Sequence, residues 1–242
     1  MAKKVTPYNR TDQGKKQQVT EMFDNISGNY DGLNRVMTFG IDVSWRKKVV
    51  QLVKDSGAKS ILDIATGTGD LAIMMSQTEA SKITGLDISS GMLEVGKQKV
   101  KHAGLDQRIE MVLGDSEKLP FEDNSFEAIT VSYGVRNFED LDKGLSEILR
   151  VLTPGGILVV LETSVPTKFP FKQGYFVYSK TLLPLIGKLF SKDKQAYSYL
   201  SASAKAFPFG KKFTAILSKI GFKHAQDHPV TMGVSTIYTA YK

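Results

Sequence analysis

Cysteine is absent from the 242-residue chain. That excludes a disulfide framework, a thiolate nucleophile and a cysteine-ligated metal centre. Histidine is scarce: His102, His224 and His228 are the three present. None has metal-ligand spacing beside carboxylates, so no metal site is expected. No apolar run approaches the roughly 20 residues of a membrane span. The opening Met-Ala-Lys-Lys lacks the apolar core of a signal peptide. The expected location is therefore cytoplasmic. Negative charge is in deficit, with 25 acidic against 32 basic residues and a formal net charge of +7. Such a balance favours an anionic partner, whether nucleic acid, acidic substrate or anionic lipid surface, without choosing among them. A hydrophobic fraction of 41% is that of a globular chain, and the length suits one sizeable α/β domain.

The stretch Ser60-Ile-Leu-Asp-Ile-Ala-Thr-Gly-Thr-Gly-Asp70 organises the rest. Ile61, Leu62 and Ile64 predict a buried parallel strand. Gly67 and Gly69 turn the chain where a Cβ would block a ligand or forbid the turn. A helix follows over 70–77, with Asp70 placed to cap it or to complement its dipole. A second strand ends in Asp87, the position of an acid that holds both hydroxyls of a ribose. The spacing Gly67-x-Gly69-x-x-Ala72 also satisfies the loose dinucleotide fingerprint, which is weak by itself. Two features tilt the reading away from NAD. Asp63 lies inside the first strand, and a third acidic site, Asp115-Ser116-Glu117, follows the third strand. Acids at three successive strand ends would repel a pyrophosphate. They suit S-adenosylmethionine, which carries a sulfonium, an ammonium and no phosphate.

In chain order, residues 1–13 are polar and expected to fray. Val19, Met22, Phe23 and Ile26 lie at helical spacing. Residues 25–34 read as a break rich in Gly and Asn. A second helix runs from near Asp42 to about Asp55. Residues 1–57 thus form an N-terminal helical lid, and 58–164 a cofactor-binding core. In that core, strands over 60–65, 82–87, 109–113, 126–132 and 157–161 alternate with helices, one of them capped by Ser89. Such alternation implies a parallel sheet. Thr153-Pro-Gly-Gly156 reads as a sharp turn into the fifth strand. Residues 165–206 break the rhythm with aromatics and lysines. A helix over 211–220 and strands over 222–230 and 233–241 close the chain. The expected architecture is a single α/β domain, 1–242. It has a doubly wound, mainly parallel Rossmann-like sheet, N-terminal helices and a helical insertion before the last strands.

With these motifs in hand, the chain resembles class I S-adenosylmethionine-dependent methyltransferases. More closely, it is similar to the quinone-biosynthesis C-methyltransferase family, which acts on demethylmenaquinol and on ubiquinone precursors. The resemblance rests on Met22-Phe-Asp-Asn-Ile-Ser-Gly-Asn-Tyr-Asp-Gly-Leu-Asn34, Met37-Thr-Phe-Gly40, Trp45-Arg46 and Asp63-Ile-Ala-Thr-Gly-Thr-Gly-Asp70. It rests also on Leu119-Pro-Phe121, Tyr133-Gly-Val-Arg-Asn137, Arg150-Val-Leu-Thr-Pro-Gly-Gly156 and Phe207-Pro208. The glycine loop and Leu-Pro-Phe mark only the superfamily; the N-terminal block and Gly134-Val-Arg-Asn137 are far more specific. Tyr133 departs from the family's usual Phe and adds a hydroxyl. The resemblance implies seven strands with the last antiparallel, and cofactor contacts at Thr68, Asp87, Asp115, Ser116 and Ser132. The residues alone reach Asp63, Gly67, Gly69, Asp87 and Asp115; Thr68 and Ser132 come only from the resemblance.

An aromatic ring carbon is a weak nucleophile until a ring hydroxyl loses its proton. Arg136 is placed to favour the resulting oxyanion. Asn137 and Tyr133 are candidates to hydrogen-bond ring oxygens, and Tyr30 or Asp31 to close over the ring. No histidine falls in these blocks, so a water is the expected proton acceptor. The implied partner is demethylmenaquinol or a related isoprenoid quinol. Phe169, Phe171, Tyr175 and Phe176, the apolar run 182–190 and six interleaved lysines have the composition of an element on the inner membrane surface. The same composition also suits a cap on the sheet or a homodimer contact. Other acceptors remain open. A methyltransferase acting on RNA or protein would explain the basic charge, but no RNA-binding motif is present, so nucleic acid is not expected as a partner. An NAD-dependent reductase and a non-catalytic cofactor-binding subunit are further alternatives.

Overall fold

The computed structural model describes residues 5–8, 10–177, 181 and 194–242. Its sheet has seven strands in the order β3-β2-β1-β4-β5-β7-β6. These are β1 (Ser60–Ile64), β2 (Lys82–Asp87), β3 (Ile109–Leu113), β4 (Phe126–Ser132), β5 (Leu152–Thr163), β6 (Lys223–Val230) and β7 (Ser235–Tyr241). β1 to β5 pair in parallel, and β7 runs antiparallel between β5 and β6. The expected doubly wound, mainly parallel α/β sheet is therefore the observed one.

Both sheet faces are covered, and residue alternation decides which side chain meets which cover. Leu62 and Ile64 of β1 join Leu145, Ile148, Phe213 and Leu217 in one core. Those partners come from α6 (Leu141–Val151) and α9 (Lys211–Ile220). Ile61 faces the other way, toward Trp45, Val49, Val53 and Leu71, from α3 (Ile41–Asp55) and α4 (Asp70–Met74). Asp63 shares the parity of Ile61, so its carboxylate points toward α3 and not into the first core. A charged residue inside a buried strand is thereby explained. The hydroxyl of Ser89 caps α5 (Ser90–His102) by accepting from the Met92 N–H at 3.1 Å.

Three expectations need correction. Residues 25–34 are not a break: α1 (Lys15–Ile26) passes through a short 3-10 turn into α2 (Tyr30–Thr38). The Gly and Asn residues mark that change of direction. The described part of the N-terminus does not fray, because Val5 and Tyr8 pack on the α1 core and Gln18 accepts from the Tyr8 N–H. Gln18 also donates to the carbonyls of Arg10 and Gln13. Asp70 stands in the first turn of α4, where it complements the helix dipole as expected, and Lys99 and Arg35 also bridge its carboxylate. Thr153–Gly156 does not precede β5 but interrupts it. The register jumps from Phe126↔Leu152 to Ala128↔Ile157, a bulge suited to a proline without an N–H.

The insertion contains α7 (Phe171–Val177) and α8 (Lys194–Ala206). The apolar run 182–190, with Lys180, Lys188 and Lys192, lies outside the described residues. Among the described residues, no helix is long and apolar enough to cross a membrane.

Candidate active site

Strand order reverses between β1 and β4, and open α/β sheets bind ligands at that point. The chain leaves both strands under strain. Ala65 and Tyr133, the residues just past β1 and β4, have positive φ of 53° and 58°. Left-handed backbone at non-glycine residues costs on the order of 1–3 kcal/mol and concentrates at functional sites. Gly134 lets the two loops meet, since a Cβ there would stand 2.6 Å from the Ala65 Cβ. Gly69 takes φ 79° to start α4.

Two adjoining cavities open here. The larger, about 680 Å³, includes Asp87, Asp115, Ser116, Asn137, Val19 and Phe23 in its walls. The smaller, about 370 Å³, includes Asp31, Arg46, Asp63 and Thr68. Tyr30, Gly67, Ser132 and Tyr133 line both. The structure thus gathers most of the expected site residues around one space. Gly69 and Arg136 stand outside these walls.

In the larger cavity, the Asp87 carboxylate accepts from the Gly67 N–H at 2.8 Å and the Ser89 N–H at 2.9 Å. Burial raises its pKa, and these hydrogen bonds only partly offset the rise. With the Ile88 N–H also bonding it, the carboxylate keeps acceptor capacity for one ligand hydroxyl. Asp115 meets a neighbour that sequence reasoning missed: Lys16 of α1 at 2.6 Å. Lys16 also bridges Glu117 at 3.3 Å, which ties α1 across the cavity mouth. The Ser132 hydroxyl is buried and has no protein partner. Such a buried hydroxyl in a cavity wall calls for a partner from outside the protein, a ligand or a water.

In the smaller cavity, Asp63 accepts from the Thr66 and Thr130 hydroxyls, each at 2.6 Å. Burial nevertheless pushes its pKa up to about 6. Around this cavity runs an ionic belt, also missed from the sequence. Lys99 of α5 bridges Asp31 at 2.7 Å, bonds Asp70, and lies 3.2 Å from the Thr68 hydroxyl. Thr68 itself donates to Asp31 at 2.6 Å. Arg35 of α2 reaches Asp70 at 3.1 Å and also bonds Asp42, which Arg46 bonds in turn. The belt fastens α2 to the glycine loop. Apart from the Asp42–Arg46 pair, spacing within one helix carries no hint of it, because its members come from four helices and the glycine loop.

Beyond the carboxyl ends of β4 and β5, Arg136 is held by Glu162 at 2.7 Å and donates to the Tyr133 carbonyl at 2.7 Å. Burial opposes its charge, but Glu162 outweighs that and holds the Arg136 pKa raised. Its Nε is buried without a protein partner. Asn137 is spoken for: it donates to the Tyr133 carbonyl at 3.2 Å and accepts from the Tyr199 hydroxyl of α8 at 3.0 Å. The Tyr133 hydroxyl turns to Ser235 at 3.3 Å. Glu162 and Tyr199 were not legible as site residues, since both sit in stretches whose apolar pattern dominates.

The residues fit S-adenosylmethionine. The larger cavity offers a carboxylate to a ribose and a second one beyond it, and the smaller carries charge of both signs. A pyrophosphate would instead face Asp87 and Asp63. Fold and cavity together define a Rossmann-like methyltransferase. The description "ubiE/COQ5 methyltransferase family" matches residues 11–242, and the chain belongs to that family. It is 48% identical over 240 residues to a demethylmenaquinone methyltransferase of Bacteroides fragilis, covering 99% of this chain and 98% of that protein. It is 46% identical over 237 residues to the ubiquinone/menaquinone biosynthesis C-methyltransferase UbiE of Geotalea daltonii, covering 97% and 100%. A solved S-adenosylmethionine-dependent methyltransferase of Aquifex aeolicus superposes with a TM-score of 0.56 at 19% identity, over 81% of this chain and 88% of that one.

Proposed function

We propose that this protein transfers a methyl group from S-adenosylmethionine to a ring carbon of demethylmenaquinol, giving menaquinol. The observation that carries the reading is its match, across nearly the whole of both chains, to relatives named for demethylmenaquinone methylation. When bound, the sulfonium supplies a methyl group already activated for in-line displacement. The protein's work is alignment of the acceptor and exclusion of water.

In this reading Asp87 holds the ribose, Asp115 and Ser116 meet the adenine edge, and Val19 and Phe23 cover it. Ser132 and Thr68 complete the cofactor contacts. Arg136, kept cationic by Glu162, offers its unpartnered Nε to the acceptor's ring oxyanion. Tyr30 closes the space between the cavities. Asn137, held by Tyr199, fixes the loop instead of donating to the ring. Burial raises the pKa of Tyr30, Tyr133 and Tyr199. None of them is then a base at neutral pH, and water takes the proton.

The acceptor's isoprenoid tail directs attention to the segment 165–206. Phe169, Phe171, Phe176 and Val177 are exposed there, beside Lys168 and Lys172. This is the composition of an element that rests on anionic lipid from the cytoplasmic side. Flotation with anionic vesicles tests the contact, and absence of binding at low salt refutes it.

The experiment for the reaction is incubation with labelled S-adenosylmethionine and a short-tailed demethylmenaquinol kept reduced. Label in the quinol supports the reading; no transfer by folded protein refutes it. The relative named for both quinone branches favours running a ubiquinone precursor in parallel.

A further inference from the structure

The smaller cavity gathers its charged residues from three of the family-like sequence blocks. Its walls include Asp31, Asp63 and Asp70, and Arg46 as the one cation among the described residues that line it. Asp31 and Asp70 are already matched: Lys99 bridges both, and Arg35 adds a second contact to Asp70. Arg46 is paired as well, with Asp42 outside the cavity wall and with Asp70 at 3.9 Å, but within the wall it stands with Asp63 as one charge of each sign toward a ligand. An amino-acid end, with its ammonium and its carboxylate, requires one of each.

We propose that Arg46 binds the carboxylate of the amino-acid end of S-adenosylmethionine. The inference rests on the cofactor reading above and adds a binding residue to it. Arg46 projects from α3, and its side chain is 9% exposed. Among the described residues its guanidinium makes one hydrogen bond, to Asp42. Asp42 does not depend on that bond, since it also accepts from Arg35 and from the Thr38 hydroxyl at 2.7 Å. The remaining guanidinium donors are free to form the paired bonds that a planar fork makes with a carboxylate. Burial works against the charge, but Asp42 and Asp70 outweigh it and hold the Arg46 pKa raised. The group therefore stays cationic at every pH at which the protein is folded.

The charge of the whole belt agrees. Lys99, Arg35 and Arg46 face Asp31, Asp42, Asp63 and Asp70. One negative charge is left over. S-adenosylmethionine carries one net positive charge when its amino acid is zwitterionic, so binding neutralises the site. The ligand's carboxylate then needs a cation in the cavity wall, and Arg46, although it also stands beside Asp42 and Asp70, is the one there among the described residues. It projects from the lid, which links amino-acid recognition to closure of α2 and α3 over the cavity.

The test is calorimetric and uses ligands, not turnover. S-adenosylhomocysteine carries the amino-acid end; 5′-methylthioadenosine has the same nucleoside without it. Both are titrated into wild type, Arg46→Gln and Arg46→Lys. The expected result is a loss of about 10- to 150-fold for S-adenosylhomocysteine in Arg46→Gln, the range of hydrogen bonds to a charged group. Affinity for 5′-methylthioadenosine stays within about twofold, which also reports that the variant is folded. Arg46→Lys keeps a charge beside Asp42 and so remains folded if Arg46→Gln does not; it loses the fork and shows a smaller drop confined to the same ligand. An equal loss for both ligands would overturn the proposal and make Arg46 a structural partner of Asp42. Undiminished S-adenosylhomocysteine affinity would overturn it as well. Wild type that binds neither ligand would overturn the cofactor reading, and this inference with it.

Discussion

Asp63 is a group the fold keeps at a cost, and replacing it should make the protein more stable. Its carboxyl is 1% exposed, and burial pushes its pKa up to about 6 from the ordinary aspartate value of about 4. An acid with a raised folded pKa binds its proton more tightly in the native state than in the unfolded chain. Its contribution to stability is therefore complete below the unfolded value of about 4 and is lost as pH rises through about 6. The loss is about 2 pKa units at 1.36 kcal/mol each, or roughly 3 kcal/mol by neutral pH. Asp63→Asn removes this titration. The amide still accepts from one of the two threonine hydroxyls and donates to the other, at a cost of about 1 kcal/mol for imperfect geometry. The net expectation near pH 7.5 is a gain of about 2 kcal/mol, or about 4–8 °C in Tm for a chain of this size. Below about pH 4 the advantage vanishes and the variant becomes the less stable form. Urea denaturation of wild type and variant across that pH range measures the difference directly. A difference that stays constant from about pH 4 to about pH 8 would refute the reasoning, because then Asp63 does not titrate between the folded and unfolded values. The gain should come with weaker S-adenosylhomocysteine binding, as expected where a strained site is kept for function.

Asp87→Ala should weaken cofactor binding by about 1.5–3 kcal/mol, the worth of hydrogen bonds to a charged group; equal affinity by calorimetry would remove Asp87 from the site. Arg136→Lys should lower turnover with a quinol far more than it lowers cofactor affinity, because the ammonium keeps the pairing with Glu162 but loses the Nε donor. The alanine variant is less informative, since stranding buried Glu162 costs about 3–5 kcal/mol of stability. Lys99→Met should cost about 0.5–1 kcal/mol of cofactor affinity at low salt and flatten its salt dependence, because partly exposed bridges are screened. Identical salt slopes for the variant and wild type would show that the belt does not fasten α2 to the glycine loop in solution.

Patterning along the chain was enough for the sheet. Apolar runs at 61–64, 83–86, 128–131 and 157–161, separated by helical periodicity, admit little besides a doubly wound parallel sheet. Parallel strands buried on both faces leave that signature, and right-handed crossovers fix their connection. The acids Asp63, Asp87 and Asp115 were legible for the same reason: each stands at or near a strand end, where position along the chain is position in the fold. The errors fell where local signals were weak or misleading. Glycine and asparagine at 25–34 suggested a break, yet tertiary contacts carry a 3-10 turn straight into α2. Thr153–Gly156 kept its turn chemistry but became a bulge, because β4 pairs with the strand on both sides of it.

Only the tertiary structure could assemble the ionic belt. Lys16 beside Asp115, Lys99 beside Asp31 and Asp70, Arg46 beside Asp42, and Glu162 beside Arg136 join residues far apart in sequence, apart from the Asp42–Arg46 pair. A lysine on a helix reads as a solvated surface residue until the fold shows what stands opposite it. The sequence also marked Asn137 and Tyr133 as acceptor-facing candidates, and only packing shows that they line the cavity while bonded to Tyr199 and Ser235. Strand periodicity is a one-dimensional property and survives in the sequence. The partner of a charge depends on how the covering helices dock, and docking is settled by the summed burial of many side chains, not by any one of them.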